Sequence, residues 1–410
     1  MTGPSMGPRA RRSLGLGAAA LACLALAPAL PIAPATAAAA CIDDTSLVAT
    51  AASHTALPAG AQLTTYVSAD RAVTGTSWPV QLTVVTANIA RVLPRVFSQK
   101  VGNVAPLSSQ LRPTGLVAGI NGDFFDYSDY GMLERGITVT AGRIVYGPSG
   151  SHLELTVDRA GHFHATAAHI TGTATFTWYT GTAPKRLKHT LIAPVTAVNS
   201  GLPPTGNGVT LYTTDWAAYA RPIGTREFTV NSLNKVSAIA RPQWYDTPGT
   251  PAAGTRVIAT SSSAGTRLAA VPRGATVAVS TAVVADDKSA VVSAIGRGST
   301  ELMAGRDVRP CGTEINRPRT TIAWDQTGRV WLAGTTSGGP DSGGLRMGGS
   351  TTRQIALWLS KLGATDAVAL DGGGSTTVIV PTSAGGLARV DLPSTAFQRP
   401  VPNGIEFLVR

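Results

Sequence analysis

The feature that most constrains this chain is an acid followed by three glycines, directly behind a short apolar run. The run Ala367–Leu370 has the length and composition of a buried strand, and Asp371 follows it. The glycines Gly372 to Gly374 let the backbone pass where side chains would collide, and Ser375 adds a hydroxyl. The segment predicts a carboxylate and bare N–H groups against a polar ligand. The alternative is a tight turn, although a turn needs only one or two glycines.

The clearest helix precedes this strand. From Thr351 to Leu362 the large apolar residues recur at the spacing i, i+3, i+4 and i+7, which places them on one helix face. Ser350 or Thr351 is suited to cap the N-terminus of this helix, and Gly363 is suited to end it. The sequence therefore predicts a helix, a strand and a glycine loop in direct succession.

Strand signals dominate the remainder of the chain. Residues 150–270 consist of short runs rich in threonine, valine and aromatic residues, broken by glycine and proline, which predicts a β-rich middle segment. Further strands are expected at Gln81–Ala87 and Leu116–Ile120, with a hairpin turn at Asp325–Gly328 and a short helix at Leu107–Leu111. The expected fold class is α+β, with a mixed β-sheet core and a few packed helices.

The first 40 residues have the order of an export signal. They contain no acid, and three arginines, Arg9, Arg11 and Arg12, precede the apolar run Leu14–Ala27 and an alanine-rich stretch. The run is too short to span a bilayer, so a cleavable Sec or twin-arginine signal is favoured over a membrane anchor. We expect a secreted or cell-envelope protein with no membrane span in its mature chain. The expected division is a signal at 1–40, an N-terminal extension at 41–79 and one domain at 80–410.

The chain is basic but not densely charged. Removing the three arginines of the predicted signal lowers the formal net charge from +11 to +8, and only 14% of all residues are charged. No block of lysine or arginine and no nucleic-acid reader motif is present in the sequence. This balance favours an anionic extracellular substrate or envelope glycan and argues against nucleic acid as the partner.

Cysteine and histidine spacing gives no zinc pattern. After the predicted signal only Cys41 and Cys311 remain, and in an oxidising compartment these two can pair, unless Cys41 is lipidated. His162 and His164 alternate as on one strand face, but two ligands make a weak zinc hypothesis. We expect no cofactor, and a divalent cation at the candidate aspartates stays open.

Four further segments follow one another along the chain: Ile120–Asp126, Arg317–Ala323, Leu370–Thr376 behind its helix, and Arg399–Gly404. Taken together and in this order, they resemble the phosphodiester glycosidase family. The resemblance covers roughly residues 80–145 and 290–410, and the middle segment matches more weakly. The resemblance implies hydrolysis of the bond between a sugar anomeric carbon and a phosphate oxygen.

That reaction makes definite demands on side chains. Phosphate is a weakly basic leaving group that needs positive charge more than a proton, and arginine holds two of its oxygens at once. A carboxylate on the other face of the sugar must activate water or attack directly, and the stereochemical outcome stays open. The matched segments offer catalytic candidates and substrate-binding candidates; the former are Asp371, Asp123 and Glu134, and the latter are Asn121, Arg319, Arg135, Gly372, Gly373, Gly374 and Ser375.

Two alternatives follow from other features. A non-catalytic envelope module that holds a glycan in the glycine loop explains export and positive charge equally well. A serine protease would use His169, Asp215 and Ser342, which occur in the order of a chymotrypsin-like triad. The serine motif, however, has Pro340 where a glycine is expected, and the helix and glycine loop follow it where a β-barrel should finish.

Overall fold

The computed structural model describes residues 45–49, 53–70, 79–128, 131–218, 220–222, 224–241, 249–309, 316–337, 348–391 and 398–410. Strands dominate these residues, and the helices are short. The helical segments are α1 (Leu107–Gln110), α2 (Ser262–Arg267) and α3 (Thr352–Lys361), with 3₁₀ turns at Ser46–Ala49, Pro58–Gly60 and Gly373–Ser375.

The strands in the described part of the chain are β1 (Ser53–Ala56), β2 (Gln62–Ser68), β3 (Val80–Asn88), β4 (Val92–Ser98), β5 (Leu116–Asn121), β6 (Phe125–Ser128), β7 (Gly131–Glu134), β8 (Thr138–Thr140), β9 (Arg143–Tyr146), β10 (Ser151–Val157), β11 (Phe163–Thr180), β12 (Leu187–Val198), β13 (Val209–Tyr212), β14 (Arg226–Val230), β15 (Val236–Ala240), β16 (Arg256–Thr260), β17 (Thr276–Ala285), β18 (Ser293–Gly296), β19 (Thr300–Met303), β20 (Arg306–Asp307), β21 (Arg319–Trp324), β22 (Arg329–Ser337), β23 (Asp366–Leu370), β24 (Val378–Pro381), β25 (Leu387–Arg389) and β26 (Asn403–Val409).

Two sheets form a sandwich around the main core. The larger has the order β1-β2-β3-β22-β21-β23-β19-β20, and the smaller has the order β25-β24-β5-β26-β4. Apolar side chains from both, including Ile322 and Val368 of the first and Ile120 and Phe407 of the second, pack into one buried cluster. Burial of this apolar surface is the main stabilising contribution to the sandwich.

Helix α3 covers the opposite face of the larger sheet. Its N-cap Thr351 accepts a hydrogen bond from the Gln354 backbone N–H, and the Gln354 side chain accepts one from the Thr351 backbone. Ile355 and Trp358 on its apolar face pack with Trp331 of β22. The helix predicted from the i, i+3, i+4, i+7 spacing is thus confirmed, and it fixes the strand that follows it.

The β-rich middle segment builds a separate, eleven-stranded sheet. Its order is β15-β14-β16-β13-β12-β11-β10-β18-β8-β9, and β17 pairs with β11. The one parallel pair recorded in the described sheets joins β12 to β13. This sheet has its own buried cluster, in which Phe176 and Phe228 stack at a centroid distance of 5.0 Å. Strands β10 and β18 bring it to the candidate site.

The observed architecture is richer in strands than an α+β protein. The β-rich middle is present, but the expected mixed sheet is not the core: every strand pair recorded in the two sheets of the sandwich is antiparallel. The helical content is confined to three short helices and single turns in the described residues. The segment expected to be a loose N-terminal extension also contributes β2, which pairs along its whole length with β3. Its apolar residues Leu63 and Tyr66 point to opposite faces of the strand, and both are buried: Leu63 in the core of the sandwich, and Tyr66 in the cluster that includes helix α3.

Sheet topology brings the ends of β5 and β23 together. Leu370, the last residue of β23, pairs with Thr320 of β21, while Asn121, the last residue of β5, pairs with Gly404 of β26. The two strands belong to opposite sheets of the sandwich. A backbone hydrogen bond of 2.9 Å from the Asp371 N–H to the Gly122 carbonyl joins the loops that follow them.

None of the described helices is long and apolar enough to cross a membrane. The described residues also contain no group of three or more histidine, cysteine, aspartate or glutamate side chains arranged to hold a metal ion. His162 and His164 both contact Asp158 instead, at 3.2 Å and 3.5 Å.

Candidate active site

Asp371 is presented by the end of β23 at the edge of the sandwich. Burial raises the pKa of its carboxyl to about 6, while the Ser375 hydroxyl, Arg399 and Arg135 act in the opposite direction. Near neutral pH the carboxyl is therefore mostly ionised and weakly solvated. An ionised carboxylate in this setting is suited to act as a base or as a nucleophile.

The glycine loop shapes the surroundings of Asp371. Gly373 has a φ of +60°, a left-handed conformation that favours glycine, and it starts the single 3₁₀ turn Gly373–Ser375. The Gly373 N–H donates to the Pro318 carbonyl at 2.8 Å. That N–H is consumed within the protein, so the loop presents fewer free donors than three consecutive glycines imply.

Arg399 lies against this loop. Its Nη1 lies 3.5 Å from the Ser375 hydroxyl oxygen, and a Cβ added to Gly374 would lie only 3.2 Å from the guanidinium. Arg399 is exposed, whereas Ser375 is fully buried. A cation that reaches solvent beside a partly buried carboxylate is well placed to receive an anionic ligand.

The Asn121 side chain links the end of β5 to the glycine loop that follows β23. Its side-chain nitrogen donates to the Asp371 carbonyl at 2.6 Å, and its side-chain oxygen accepts from the Thr320 hydroxyl at 3.0 Å and the Thr377 N–H at 3.1 Å. The residue is completely buried. In this arrangement Asn121 positions Asp371 from inside the protein.

We expect Asn121→Ala to lower both stability and activity. The change leaves the buried Thr377 N–H without its acceptor and removes the donor to the Asp371 carbonyl, whereas the Thr320 hydroxyl keeps Thr376 as a partner. An unsatisfied buried group costs about 1–3 kcal/mol. Urea unfolding measures the stability, and the turnover of a sugar-1-phosphodiester measures the activity. A fully stable variant with an unchanged rate would contradict the positioning role.

Asp123 is the second acid of the site and is almost completely buried. One of its carboxyl oxygens accepts the Gly136 N–H at 2.8 Å, and its own N–H donates to the Asn403 side chain at 2.9 Å. Gly296 packs so closely that an added Cβ would lie 2.3 Å from the carboxyl. Burial raises the pKa of Asp123 to about 7, the Gly136 bond opposes this, and the negative charge of Asp371 adds to it.

Glu134 is buried near Asp123, and no hydrogen bond to the described residues compensates for the burial of its carboxyl. Neither of its carboxyl oxygens has a hydrogen-bond partner among the described residues. Ser98 lies close, but its hydroxyl donates to the Gln99 carbonyl at 2.7 Å. Burial raises the pKa of Glu134 to about 8, and the charge of Asp123 contributes. Glu134 is therefore mostly protonated at neutral pH, which avoids the large cost of a buried charge.

Arg135 reaches the same region from the loop after β7. Its guanidinium makes two 2.7 Å hydrogen bonds to Asp126, and its carbon Cζ lies 6.0 Å from the centre of the Phe124 ring. Both members of the Arg135–Asp126 pair are more than half exposed, so the ion pair contributes little to stability. The positive charge of Arg135 nevertheless acts on Asp371 and lowers its pKa.

A cavity of about 270 Å³ opens over Asp123. Arg135 lines one part of it, and His152, Leu153 and Arg297 from the eleven-stranded sheet line another. Asp371 lies beside the cavity rather than in its lining. The arrangement provides an enclosed space next to an acid, with arginines at its border.

The structure brings most of the predicted site residues together, but the side chain of Arg319 takes a different direction. Its Nε donates to the Ser350 carbonyl at 3.1 Å, and its backbone N–H donates to the Thr335 hydroxyl. The arginines whose charge acts on Asp371 are Arg399 and Arg135. The role of Arg319 in phosphate binding stays a prediction from the sequence.

The protease hypothesis is not supported by the positions of its first two residues. His169 lies on β11 within 4.0 Å of Asp286, whereas Asp215 forms an ion pair with Arg143. A triad requires these side chains to meet each other, and each has a different partner. Ser342 lies outside the described residues, as do Cys41 and Cys311 of the predicted disulfide.

Three site residues escaped the sequence analysis. Arg399 stood in a matched segment but was given no role, and Arg297 and Glu154 were not considered. Glu154 is fully buried, accepts the Ile137 N–H at 2.8 Å, and has its pKa raised well above the usual range by burial. A charged residue inside an otherwise apolar strand pattern was the available signal for Glu154.

The fold and the site together define a class: a β-rich sandwich protein with a glycine loop, a carboxylate and an exposed arginine at one place. Residues 226–408 match the model of the phosphodiester glycosidase family. Over this range, the resemblance inferred from the sequence is confirmed. The matched range includes Arg297, Asp371 and Arg399 and begins after the strands that carry Asn121 and Asp123.

Solved structures share the fold. A hypothetical protein from Synechocystis aligns with a TM-score of 0.62 and 20% identity over 85% of this chain, which spans 62% of that protein. A candidate exported protein from Burkholderia pseudomallei K96243 aligns with a TM-score of 0.60 and 20% identity, over 81% of this chain and 75% of the other. At this identity the likeness establishes the fold alone.

A more distant structure is the catalytic domain of zebrafish N-acetylglucosamine-1-phosphodiester alpha-N-acetylglucosaminidase. It aligns with a TM-score of 0.44 and 13% identity, over 88% of this chain and 87% of the other. No curated protein matches the chain.

Proposed function

We propose that this protein is an exported hydrolase that cleaves the bond between a sugar anomeric carbon and phosphate in a sugar-1-phosphodiester. The observation that carries the proposal is the placement of Asp371. Its N–H donates to the Gly122 carbonyl, next to Asp123, at 2.9 Å, and Arg399 lies against the glycine loop that follows it. The charges of Arg399 and Arg135 act on its carboxyl. This is the inventory that the reaction requires: two acids and a cationic phosphate site.

The roles divide according to the environments of the two acids. Asp371, with the lower pKa, acts as the base or nucleophile at the anomeric carbon, and Asp123, with a pKa near 7, donates a hydrogen bond or proton in the cavity. Arg399, which is exposed beside the glycine loop, holds the phosphate, and the buried Ser375 hydroxyl holds the Asp371 carboxyl. Because phosphate leaves easily as an anion, the positive charge that binds it contributes more to catalysis than a strong general acid does.

The direct test is turnover. Purified protein is incubated with a panel of sugar-1-phosphodiesters, and the release of free reducing sugar is measured. Release that depends on the protein supports the hydrolase. Binding of one of the diesters without any release would favour the alternative, an envelope glycan-binding module, and would contradict the proposal.

The two candidate phosphate arginines give a matched comparison. We expect Arg399→Met to lower kcat/KM by about a hundredfold, as does the loss of one preorganised donor to a charged group. The same change at Arg319, whose Nε donates to the Ser350 carbonyl, is expected to have a smaller effect. Steady-state kinetics on one diester measures both. A larger loss at Arg319 than at Arg399 would restore the assignment made from the sequence.

A further inference from the structure

Arg297 lines the cavity, and no acidic side chain among the described residues makes a hydrogen bond or ion pair with it. Its Nε donates to the Glu154 carbonyl at 3.0 Å, and its Nη1 donates to the Gly298 carbonyl at 3.0 Å and the Thr300 hydroxyl at 3.1 Å. All three acceptors are neutral. The second terminal nitrogen, Nη2, makes no hydrogen bond to the described part of the protein.

The carboxyl of Glu154 makes no hydrogen bond to Arg297. One of its oxygens accepts the Ile137 N–H, the other has no hydrogen-bond partner among the described residues, and burial raises the pKa of this carboxyl well above the usual range. Burial also lowers the pKa of Arg297. A guanidinium that is partly withdrawn from water and lacks a counter-ion gains stability from a bound anion. The three hydrogen bonds fix its orientation before any ligand arrives, which reduces the entropy cost of binding.

The position of Arg297 places it on the cavity side of the site. The preceding Gly296 packs against the Asp123 carboxyl, and the following Gly298 donates its N–H to the Ala369 carbonyl of β23 at 2.8 Å. Arg297 therefore faces the space over Asp123, while Arg399 lies at the glycine loop. In the proposed reaction these are the sugar side and the phosphate side.

We propose that Arg297 binds an acidic group carried by the sugar itself, so that the preferred substrates are phosphodiesters of acidic sugars such as hexuronic acids. The inference rests on the proposed function and names its substrate class. A carboxylate accepts two parallel hydrogen bonds from a guanidinium fork, and the free Nη2 is available for one of them. The basic balance of the chain agrees with an anionic glycan.

A matched pair of substrates tests this inference. The methyl phosphodiesters of glucose 1-phosphate and of glucuronic acid 1-phosphate, as the same anomer, differ only in the carboxylate. Wild-type protein is expected to favour the glucuronic acid diester in kcat/KM by at least about tenfold, the scale of one charge-assisted hydrogen bond. Arg297→Met should remove this preference, so that the ratio of the two kcat/KM values falls to about one.

A control variant separates a local contact from the loss of one positive charge. Arg91 is exposed and follows β3 at the end where Asn88 pairs with Arg329, which is the opposite end of the sheet from Arg319. Arg91→Met should leave the preference intact, and raised salt should weaken the preference of the wild type. Arg297→Met that lowers both substrates equally would overturn the inference and make Arg297 a structural residue.

Binding separates failure of the inference from failure of the proposed function. Calorimetry on Asp371→Asn measures the affinity for each diester without dependence on turnover. If wild-type protein cleaves neither diester, the proposed function fails. The Arg297 contact is still supported if Asp371→Asn binds the glucuronic acid diester more tightly than the glucose diester and the double variant Asp371→Asn/Arg297→Met does not. Equal affinity for both diesters would overturn it.

Discussion

Replacing Asp371 by asparagine is expected to lower kcat for sugar-1-phosphodiester cleavage by about a thousandfold or more. The amide keeps the shape of the carboxyl but removes the negative charge that activates water or attacks the anomeric carbon. The fold should persist, because burial already disfavours the ionised form of Asp371 in the native state and raises its pKa to about 6. Single-turnover kinetics at pH 7 measures the loss.

The same substitution at the other end of β23 provides the control. Asp366 begins that strand and accepts a 2.8 Å hydrogen bond from the Thr365 hydroxyl, away from the glycine loop. Asp366→Asn should retain a rate close to wild type. Substantial turnover by Asp371→Asn, with a thermal unfolding midpoint equal to that of wild type, would remove Asp371 from the catalytic role.

Replacing Glu134 by glutamine is expected to stabilise the protein at alkaline pH by a few kcal/mol, at about 1.4 kcal/mol per unit of pKa shift. The pKa of Glu134 rises from 4.5 to about 8 on folding, mainly because of burial. Between these values the folded state holds a proton that the unfolded chain releases. Wild-type stability therefore falls as pH rises from about 4.5 to about 8, and the variant lacks this contribution.

Urea unfolding at pH 5 and pH 9 measures the effect of Glu134→Gln. The stability difference between variant and wild type should grow in favour of the variant from pH 5 to pH 9. Glu227→Gln is the matched control, because Glu227 is also buried but accepts a 2.8 Å hydrogen bond from Arg221. That variant should be less stable at both pH values, since a buried charge loses its partner. A pH-independent difference for Glu134→Gln would show that Glu134 is not protonated on folding.

The parts of this molecule that the sequence predicts well are those with a local cause. Helix α3 and strand β23 follow from side-chain periodicity and capping, and the hairpin at Asp325 follows from turn residues. The proximity of Asp123 to Asp371 was predicted only through family resemblance, because the two strands lie in opposite sheets and no local pattern records their register.

The parts that the sequence does not predict depend on where side chains point. Arg319 and Arg399 are the same residue type, and the sequence does not distinguish their roles. In the structure, the Nε of Arg319 donates to a backbone carbonyl, whereas Arg399 lies beside Ser375. The N–H of Gly373 is used by Pro318, which composition alone does not reveal. Burial of Glu134 and Glu154 likewise depends on contacts between distant segments.

The separate origins of the two halves of the site have a consequence for engineering. The groups proposed for chemistry, Asp371, Ser375 and Arg399, come from the sandwich, whereas His152, Leu153 and Arg297 of the cavity wall come from the eleven-stranded sheet. The inner residues Leu155, Val157 and Ile295 of strands β10 and β18 pack into the core of the sandwich, whereas the ends of these strands line the cavity. Substitutions at the ends of these two strands should therefore change the selectivity for the sugar and leave Asp371, Ser375 and Arg399 in place.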